Sequence, residues 1–429
     1  MAAAPPTTTD AGAAPTTAAA AARPEPPAPP PVRVTPPAGV PPERADGLRA
    51  PERCTPPAAQ AQVAAGPAGS VQARLQLAEV HRLATGRGQL IAVIDTGVAP
   101  HPLLGSRLRG GGDYLTGGDG LDDCDGHGTA VAGLLAAAAP PGERGSTPIG
   151  IAPQARLLAI RQSSPSFDVP APDGTRRPAG DTDTLAEAVA LAVRAGADVV
   201  NISEAVCLPA ERAADAGASL QAALRYAATA DVVVVAAAGN LGTGSCADDV
   251  PGQVVLPGWF DADVLTVGAV APDDTPAPFT LPGPWVDIAA PGTGLRSLAV
   301  GGGTVGGLDG TSFAAPWVAG LAALVRERFP ELTAAQVVDR ILATARRTPG
   351  GHAAVGHGVV DPVAALTALP ARLAPEAPPA AVAATLPGTR PRSEPPAQAG
   401  RPLDLLAAGA LLVATVLAAT ALRRRPSSG

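Results

Sequence analysis

The stretch Leu90-Ile91-Ala92-Val93-Ile94-Asp95-Thr96-Gly97 runs apolar without alternation and then stops on a carboxylate and a glycine. A strand with one wet face alternates polar and apolar residues. An unbroken branched run instead marks a strand covered on both faces, as in a parallel sheet. Asp95 then falls at the carboxyl end of that strand, where parallel sheets gather their reactive groups. Outward from it, Ala155 to Ile160, Val199 to Ser203, Val232 to Ala237, Val264 to Val270 and Val286 to Ala290 predict further strands. Ala130 to Ala139, Thr182 to Ala195 and Ala216 to Thr229 predict helices, with Gly196 as a stop. Thr333 with Gln336 predicts a capping box for a closing helix to about Ala345. Strand and helix in alternation define an α/β fold whose mostly parallel central sheet is flanked by helices.

The 429 residues suffice for one large core between two Pro/Ala-rich flanks, the first of them an extended or disordered arm. Residues 1–53 form a Pro/Ala-rich arm in which repeated proline removes backbone donors and excludes helix. Residues 54–369 carry the globular pattern, and 370–404 are a second Pro/Ala-rich linker. Leu405 to Leu422 is uncharged over 18 residues, within the roughly 17 to 25 that span hydrocarbon, and predicts a transmembrane helix. Arg423-Arg424-Arg425 opens a tail over 423–429 that the positive-inside rule keeps in the cytoplasm. That places the globular domain on the extracytoplasmic side of the cell membrane as a single-pass protein, where disulfides persist. Export conflicts with Met1 to Ala22, which lacks the charged start and apolar core of a secretory signal, so either an upstream start or unconventional targeting is expected.

Every one of the 31 basic residues is arginine, and the net charge is -7. No basic stripe with interleaved aromatics is present, which counts against nucleic acid as a partner, and none is expected. Cys54, Cys124, Cys207 and Cys246 make no C-x-x-C pair, which argues against zinc and for two disulfides, with three connectivities open by spacing. Asp122, Asp123 and Asp125 lack the glycine and closing glutamate of a calcium loop and read as a solvated loop. No metal or cofactor is expected. His81, His101, His352 and His357 read as surface residues, Trp285 as core or rim packing, and Gly301-Gly302-Gly303 with Gly306-Gly307 as a flexible loop.

Chemistry gathers at three other places. Asp125-Gly126-His127-Gly128-Thr129 puts an imidazole in a glycine-rich turn before a helix. Gly310-Thr311-Ser312-Phe313-Ala314-Ala315-Pro316 puts a hydroxyl at a loop-to-helix junction, ahead of the apolar segment Trp317 to Phe329, where unpaired N–H groups favour negative charge. By itself such a serine is as readily a helix cap. Together with Asp95, however, the set supplies nucleophile, base and carboxylate for acyl transfer. Asn240, after the Val232 to Ala237 strand, can donate to an oxyanion beside the Ser312 N–H.

The order Asp, His, Ser is that of subtilisins. Asp95-Thr96-Gly97, His127-Gly128-Thr129, Ala236-Ala237-Ala238-Gly239-Asn240 and the Ser312 block resemble the signature blocks of subtilisin-like serine proteases of the peptidase S8 family. Asp119-Gly120-Leu121-Asp122-Asp123-Cys124-Asp125, Ile160-Arg161-Gln162-Ser163-Ser164, Gly283-Pro284-Trp285-Val286, the Arg326 to Leu332 stretch and the C-terminal span resemble the mycosins, membrane-anchored subtilases of type VII secretion. That resemblance implies a subtilisin-like three-layer fold and disulfides Cys54–Cys124 and Cys207–Cys246, the former stapling the arm beside the His127 loop. It implies an endopeptidase that cleaves proteins exported by type VII secretion and contacts membrane-embedded channel components. The other role it implies is a structural cap with slow or dispensable catalysis. It also implies that substrate pairs as a strand with Ser203-Glu204-Ala205, with Ala238 and Gly239 as further substrate-binding residues. Glu204, Ala205 and Val206 replace the glycines common at that rim and are expected to narrow the cleft.

Overall fold

The computed structural model describes residues 26–40, 43–57, 70–139, 150–246, 252–348 and 353–369. All of them belong to one compact unit, Met1–Pro375. The expected linker, membrane span and arginine tail, together with His352, lie outside the described residues. Among the described residues no helix is long and apolar enough to cross a membrane.

Among the described residues seven strands form the central sheet: β1 Leu90–Asp95, β2 Leu108–Asp113, β3 Arg156–Arg161, β4 Val199–Ile202, β5 Val233–Ala237, β6 Leu265–Val270 and β7 Ile288–Pro291. Their spatial order is β7-β6-β5-β4-β1-β3-β2, and every neighbouring pair is parallel. Sheet growth therefore reverses direction at β1, the kind of place where open α/β sheets bind ligands beyond their strand ends. All six residues of β1 are buried, as its unbroken apolar run requires. Ile91 and Val93 face one core, while Leu90, Ala92 and Ile94 face the other.

Helices α1 His127–Ala136 and α4 Thr311–Arg328 lie in the first core, and α2 Thr182–Arg194 and α3 Ala218–Thr229 in the second. The layers are thus helix, sheet, helix, which is the expected architecture. Helix α4 is apolar on every side and buried from Thr311 through Val325, so it is a core element and not an amphipathic cover. It starts at Thr311, earlier than the segment after Pro316 that the sequence marks as helical. Pro316 is accommodated because the carbonyl it deprives of a donor is that of Ser312, in the first turn. Helix α5, Ala334–Ala343, opens with the Thr333/Gln336 capping box in both directions.

Three features depart from expectation. Leu108–Asp113 pairs as a strand although three consecutive glycines give it little β propensity. The helix expected over Ala216 to Thr229 runs Ala218–Thr229, and a further helix, Ala210–Ala216, which was not expected, precedes it across Gly217. The glycines after Val300 are not a floppy loop: Leu295–Leu298 pairs antiparallel with Thr304–Leu308, so Gly301 to Gly303 form the turn and Gly306 and Gly307 stand in a strand.

The arm runs extended over the body. Gln221 Nε2 donates to the Pro30 carbonyl at 2.6 Å, Trp259 Nε1 to the Pro27 carbonyl at 2.9 Å, and Gly39 N–H to Glu187 Oε2 at 2.8 Å. Proline carbonyls remain good acceptors even where the N–H is missing, so a chain unfit for helix or sheet still docks. The disulfides are Cys54–Cys124 and Cys207–Cys246.

Candidate active site

Asp95 ends β1, His127 begins α1 and Ser312 is the second residue of α4. Residues after β4 and β5 supply Ser203 to Ala205 and Ala238 to Asn240. All these elements open at the same carboxyl edge of the sheet because every strand runs the same way.

Two backbone approaches bring the first pair together. A Cβ on Gly97 would stand 2.0 Å from the Asp122 carbonyl oxygen, and one on Gly128 2.0 Å from the Gly97 carbonyl oxygen. Glycine at both positions lets the loop after β1 lie against the start of α1. There His127 Nδ1 meets Asp95 Oδ1 at 2.7 Å. Thr96 N–H donates to the same oxygen at 2.8 Å, and Asp95 is fully buried. Asp95 Oδ2 is buried with no partner among the described residues. A carboxylate bonded at Nδ1 puts the proton there and leaves Nε2 as the acceptor. Burial works to lower the His127 imidazole, but the Asp95 charge and hydrogen bond, reinforced by Glu204 and Asp123, raise it to about 9.

The loop before His127 is not simply solvated. Asp122 is exposed, but Asp123 is buried, and it accepts from Thr96 Oγ1 at 2.9 Å, Gly126 N–H at 2.8 Å, Thr129 N–H at 2.8 Å and Thr129 Oγ1 at 2.6 Å. It takes the Gly126 and Thr129 N–H groups at the start of α1, while Gly128 N–H donates to Thr96 Oγ1 at 3.0 Å, so the turn that carries His127 is held on both sides. Burial pushes this carboxyl upward against those hydrogen bonds.

Ser312 is 9 % exposed and its hydroxyl has no hydrogen-bond partner among the described residues. The next side chain, Phe313, lies with its ring centroid 5.0 Å from that of His127. Catalytic hydrogen bonds often close only around a bound substrate. Ser312 and Asn240 converge on one spot: a Cβ on Gly310 would stand 2.9 Å from Ser312 Oγ and 3.4 Å from Asn240 Nδ2. Asn240 is oriented by Thr311, whose N–H and hydroxyl both approach Asn240 Oδ1 at 3.0 Å. Thr311 Oγ1 in turn accepts from Gly239 N–H at 3.1 Å.

Among the residues expected to bind substrate, Ser203 is buried, and its Oγ accepts from Asn201 Nδ2 at 2.8 Å. Glu204 and Ala205 are half-buried at the rim. Ala238 is fully buried, and a Cβ on Gly239 would lie 3.5 Å from Ala205 Cβ, so the two segments face one another. Ser163 Oγ donates to Glu204 Oε1. Burial first, and repulsion from Asp95 second, hold the Glu204 carboxyl well above the usual range.

Thr96, Asp123, Thr129, Thr311 and Phe313 escape a reading that looks for reactive groups, since they only position others. Their signal was adjacency to the blocks that carry Asp95, His127 and Ser312. His101 is a correction: it is buried, with Nε2 3.0 Å from the Gly303 carbonyl. His81 is half-buried, with Nε2 2.9 Å from the Ile151 carbonyl. Both tie loops together. Trp285 is buried as packing.

A parallel sheet with acid, imidazole and hydroxyl delivered to one edge in that chain order defines the class, a subtilisin-like serine endopeptidase. The model of the subtilase family, peptidase S8, matches residues 86–358. Mycosin-4 of Mycobacterium tuberculosis is 44% identical over 391 residues, covering 86% of this chain and 84% of that protein. The solved structure of a protease from the type VII (ESX-3) secretion system superposes with a TM-score of 0.69 at 40% identity, covering 80% of this chain and 100% of the other. A chain in the structure of an intact ESX-5 inner membrane complex gives 0.70 at 35% identity, covering 92% and 100%. This chain belongs to the subtilase family and, within it, to the mycosins.

Proposed function

We propose that this chain is a membrane-anchored endopeptidase that cleaves proteins exported by type VII secretion, with Ser312 as nucleophile. His127 Nε2 takes the Ser312 proton as the hydroxyl attacks the scissile carbonyl, then gives it to the leaving amine. Asp95 holds the imidazole in the required tautomer and stabilises its charged form. Asn240 Nδ2 and the Ser312 N–H receive the oxyanion. The acyl part of the substrate pairs with Ser203-Glu204-Ala205 opposite Ala238 and Gly239, and Glu204 narrows that rim. The observation that carries the reading is the 2.7 Å bond from His127 to a buried Asp95, with the imidazole packed on the residue after Ser312. Fluorophosphonate labelling tests it: the native chain labels and Ser312→Ala does not, whereas labelling that survives Ser312→Ala refutes it.

The membrane reading rests on Leu405 to Leu422 and the arginines that follow, with the domain outside and the tail in the cytoplasm. A second role, as a stabilising component of the secretion channel, is favoured by the relative seen within an ESX-5 inner membrane complex. Secretion that survives Ser312→Ala but fails on deletion of the chain supports that role. Loss of secretion in both strains would show that catalysis is required for secretion.

A further inference from the structure

Of the two carboxylate oxygens of Asp95, only one is engaged. Oδ1 meets His127 Nδ1 at 2.7 Å and accepts from Thr96 N–H at 2.8 Å, while Oδ2 is buried with no partner among the described residues. A buried charged oxygen without a donor is costly, and Asp95 must stay charged to hold an imidazolium. The hydroxyls on the His127 side are already committed. Thr96 Oγ1 lies 2.9 Å from Asp123 Oδ1, nearer than its 3.3 Å approach to Asp95 Oδ1, and Thr129 Oγ1 donates to Asp123 Oδ2 at 2.6 Å.

Ser203 is placed differently. Strand β4 runs parallel to β1 with Asn201 opposite Val93 and Ile202 opposite Ile94. One residue further on, Ser203 and Asp95 stand side by side, on strands about 4.8 Å apart. Alternation settles the face. Ile91, Val93 and Val199 lie in the first core, and Ile94, Val200 and Ile202 in the second. Asp95, Asn201 and Ser203 therefore share the first face, on which α1 carries His127. Both Asp95 and Ser203 are buried.

Asn201 also fixes what the Ser203 hydroxyl has left to give. Asn201 Nδ2 donates to Ser203 Oγ at 2.8 Å, so the serine accepts there and its own proton is not consumed. A hydroxyl has one donor and two acceptor sites, which leaves that donor for another group. We propose, building on the serine mechanism above, that Ser203 is a positioning residue whose hydroxyl donates to Asp95 Oδ2 when substrate pairs along the Ser203 backbone. In the substrate-free chain the bond is open, and hydrogen bonds of this kind commonly close only in the complex. Once closed, Oγ is gripped between Asn201 and Asp95, both carboxylate oxygens are bonded, and the carboxylate plane that aims His127 at Ser312 is fixed. Substrate pairing thereby tightens the acid that the chemical step depends on.

The pH dependence of ester hydrolysis separates this role from simple binding at the rim. A donor on Oδ2 stabilises the Asp95 charge most when His127 is neutral, so its removal makes the imidazole more basic in the complex. On the full-length chain, Ser203→Ala is expected to lower kcat on an extended peptide ester by roughly tenfold, the lower end for a hydrogen bond to a charged group, with KM nearly unchanged. The rising limb of kcat, which reports the complex, should move to higher pH, while the limb of kcat/KM, which reports the free enzyme, stays in place. Ser203→Gly, which also lacks the hydroxyl, should behave alike, and Ser203→Thr, which keeps it, should restore most of kcat and the native limb. Thermal melting shows which variants are folded. A loss confined to KM, an unmoved kcat limb in folded Ser203→Ala or Ser203→Gly, or a folded Ser203→Thr no better than these overturns the proposal while leaving the serine mechanism intact. A native chain with neither ester turnover nor fluorophosphonate labelling would overturn that mechanism, and the Ser203 role with it.

Discussion

Replacing Asn240 by alanine tests the oxyanion geometry most directly. Its side-chain oxygen is anchored by two approaches of 3.0 Å, from the Thr311 N–H and the Thr311 hydroxyl, so the amide plane is set before substrate arrives. Nδ2 then points into the space that Ser312 Oγ also borders. A preorganised donor of this kind contributes about 10²- to 10³-fold to kcat, or about 3 to 4 kcal/mol, because it meets the charge only as the charge develops. Asn240→Ala is therefore expected to lower kcat by roughly that factor with KM nearly unchanged. Asn240→Asp keeps the anchored oxygen but replaces the donor with a negative charge, and its loss should be at least as large. Thr311→Val removes one anchoring hydroxyl and should cost roughly fivefold, the equivalent of about 1 kcal/mol for a neutral hydrogen bond. Steady-state kinetics on a peptide ester, with thermal melting to show that each variant is folded, measures all three. A folded Asn240→Ala with kcat within threefold of the parent, or with its loss confined to KM, would refute this geometry.

Other outcomes follow from the same site. The base must be neutral, and the imidazole is raised to about 9, so kcat/KM should climb with pH until that region; Glu204→Gln removes one raising charge and should move the limb to lower pH, read from a pH–rate profile. Gly310→Ala would place a methyl 2.9 Å from Ser312 Oγ, and near-complete loss of ester turnover in a folded protein is expected. Replacing Cys207 and Cys246 by serine opens a loop of sequence separation 39, and urea denaturation should show a stability loss of about 4 kcal/mol on the chain-entropy estimate.

The parallel sheet was legible because burial on both faces demands unbroken apolar strands, and β1 and β3 carry that pattern openly. The capping box at Thr333 was legible because it is a local hydrogen-bond exchange. The glycine-rich strands were not, since Leu108–Asp113 and Thr304–Leu308 pair through backbone alone and their side chains leave no period to detect. Asp123 read as loop for a related reason: among neighbouring aspartates, only the fold selects the one turned inward.

The sequence by itself determined which reactive residue types exist, in what order, and that β1 ends on a carboxylate. These are local properties of composition and period. Only the tertiary structure decided that Thr311 orients Asn240, that Phe313 packs on His127, and that Pro57, just beyond the arm, walls a pocket beside the imidazole. Such contacts join residues far apart in the chain through helix docking, backbone approach at Gly97 and Gly128, and a disulfide. The distances and directions that result depend on how the whole core closes, which no local pattern encodes.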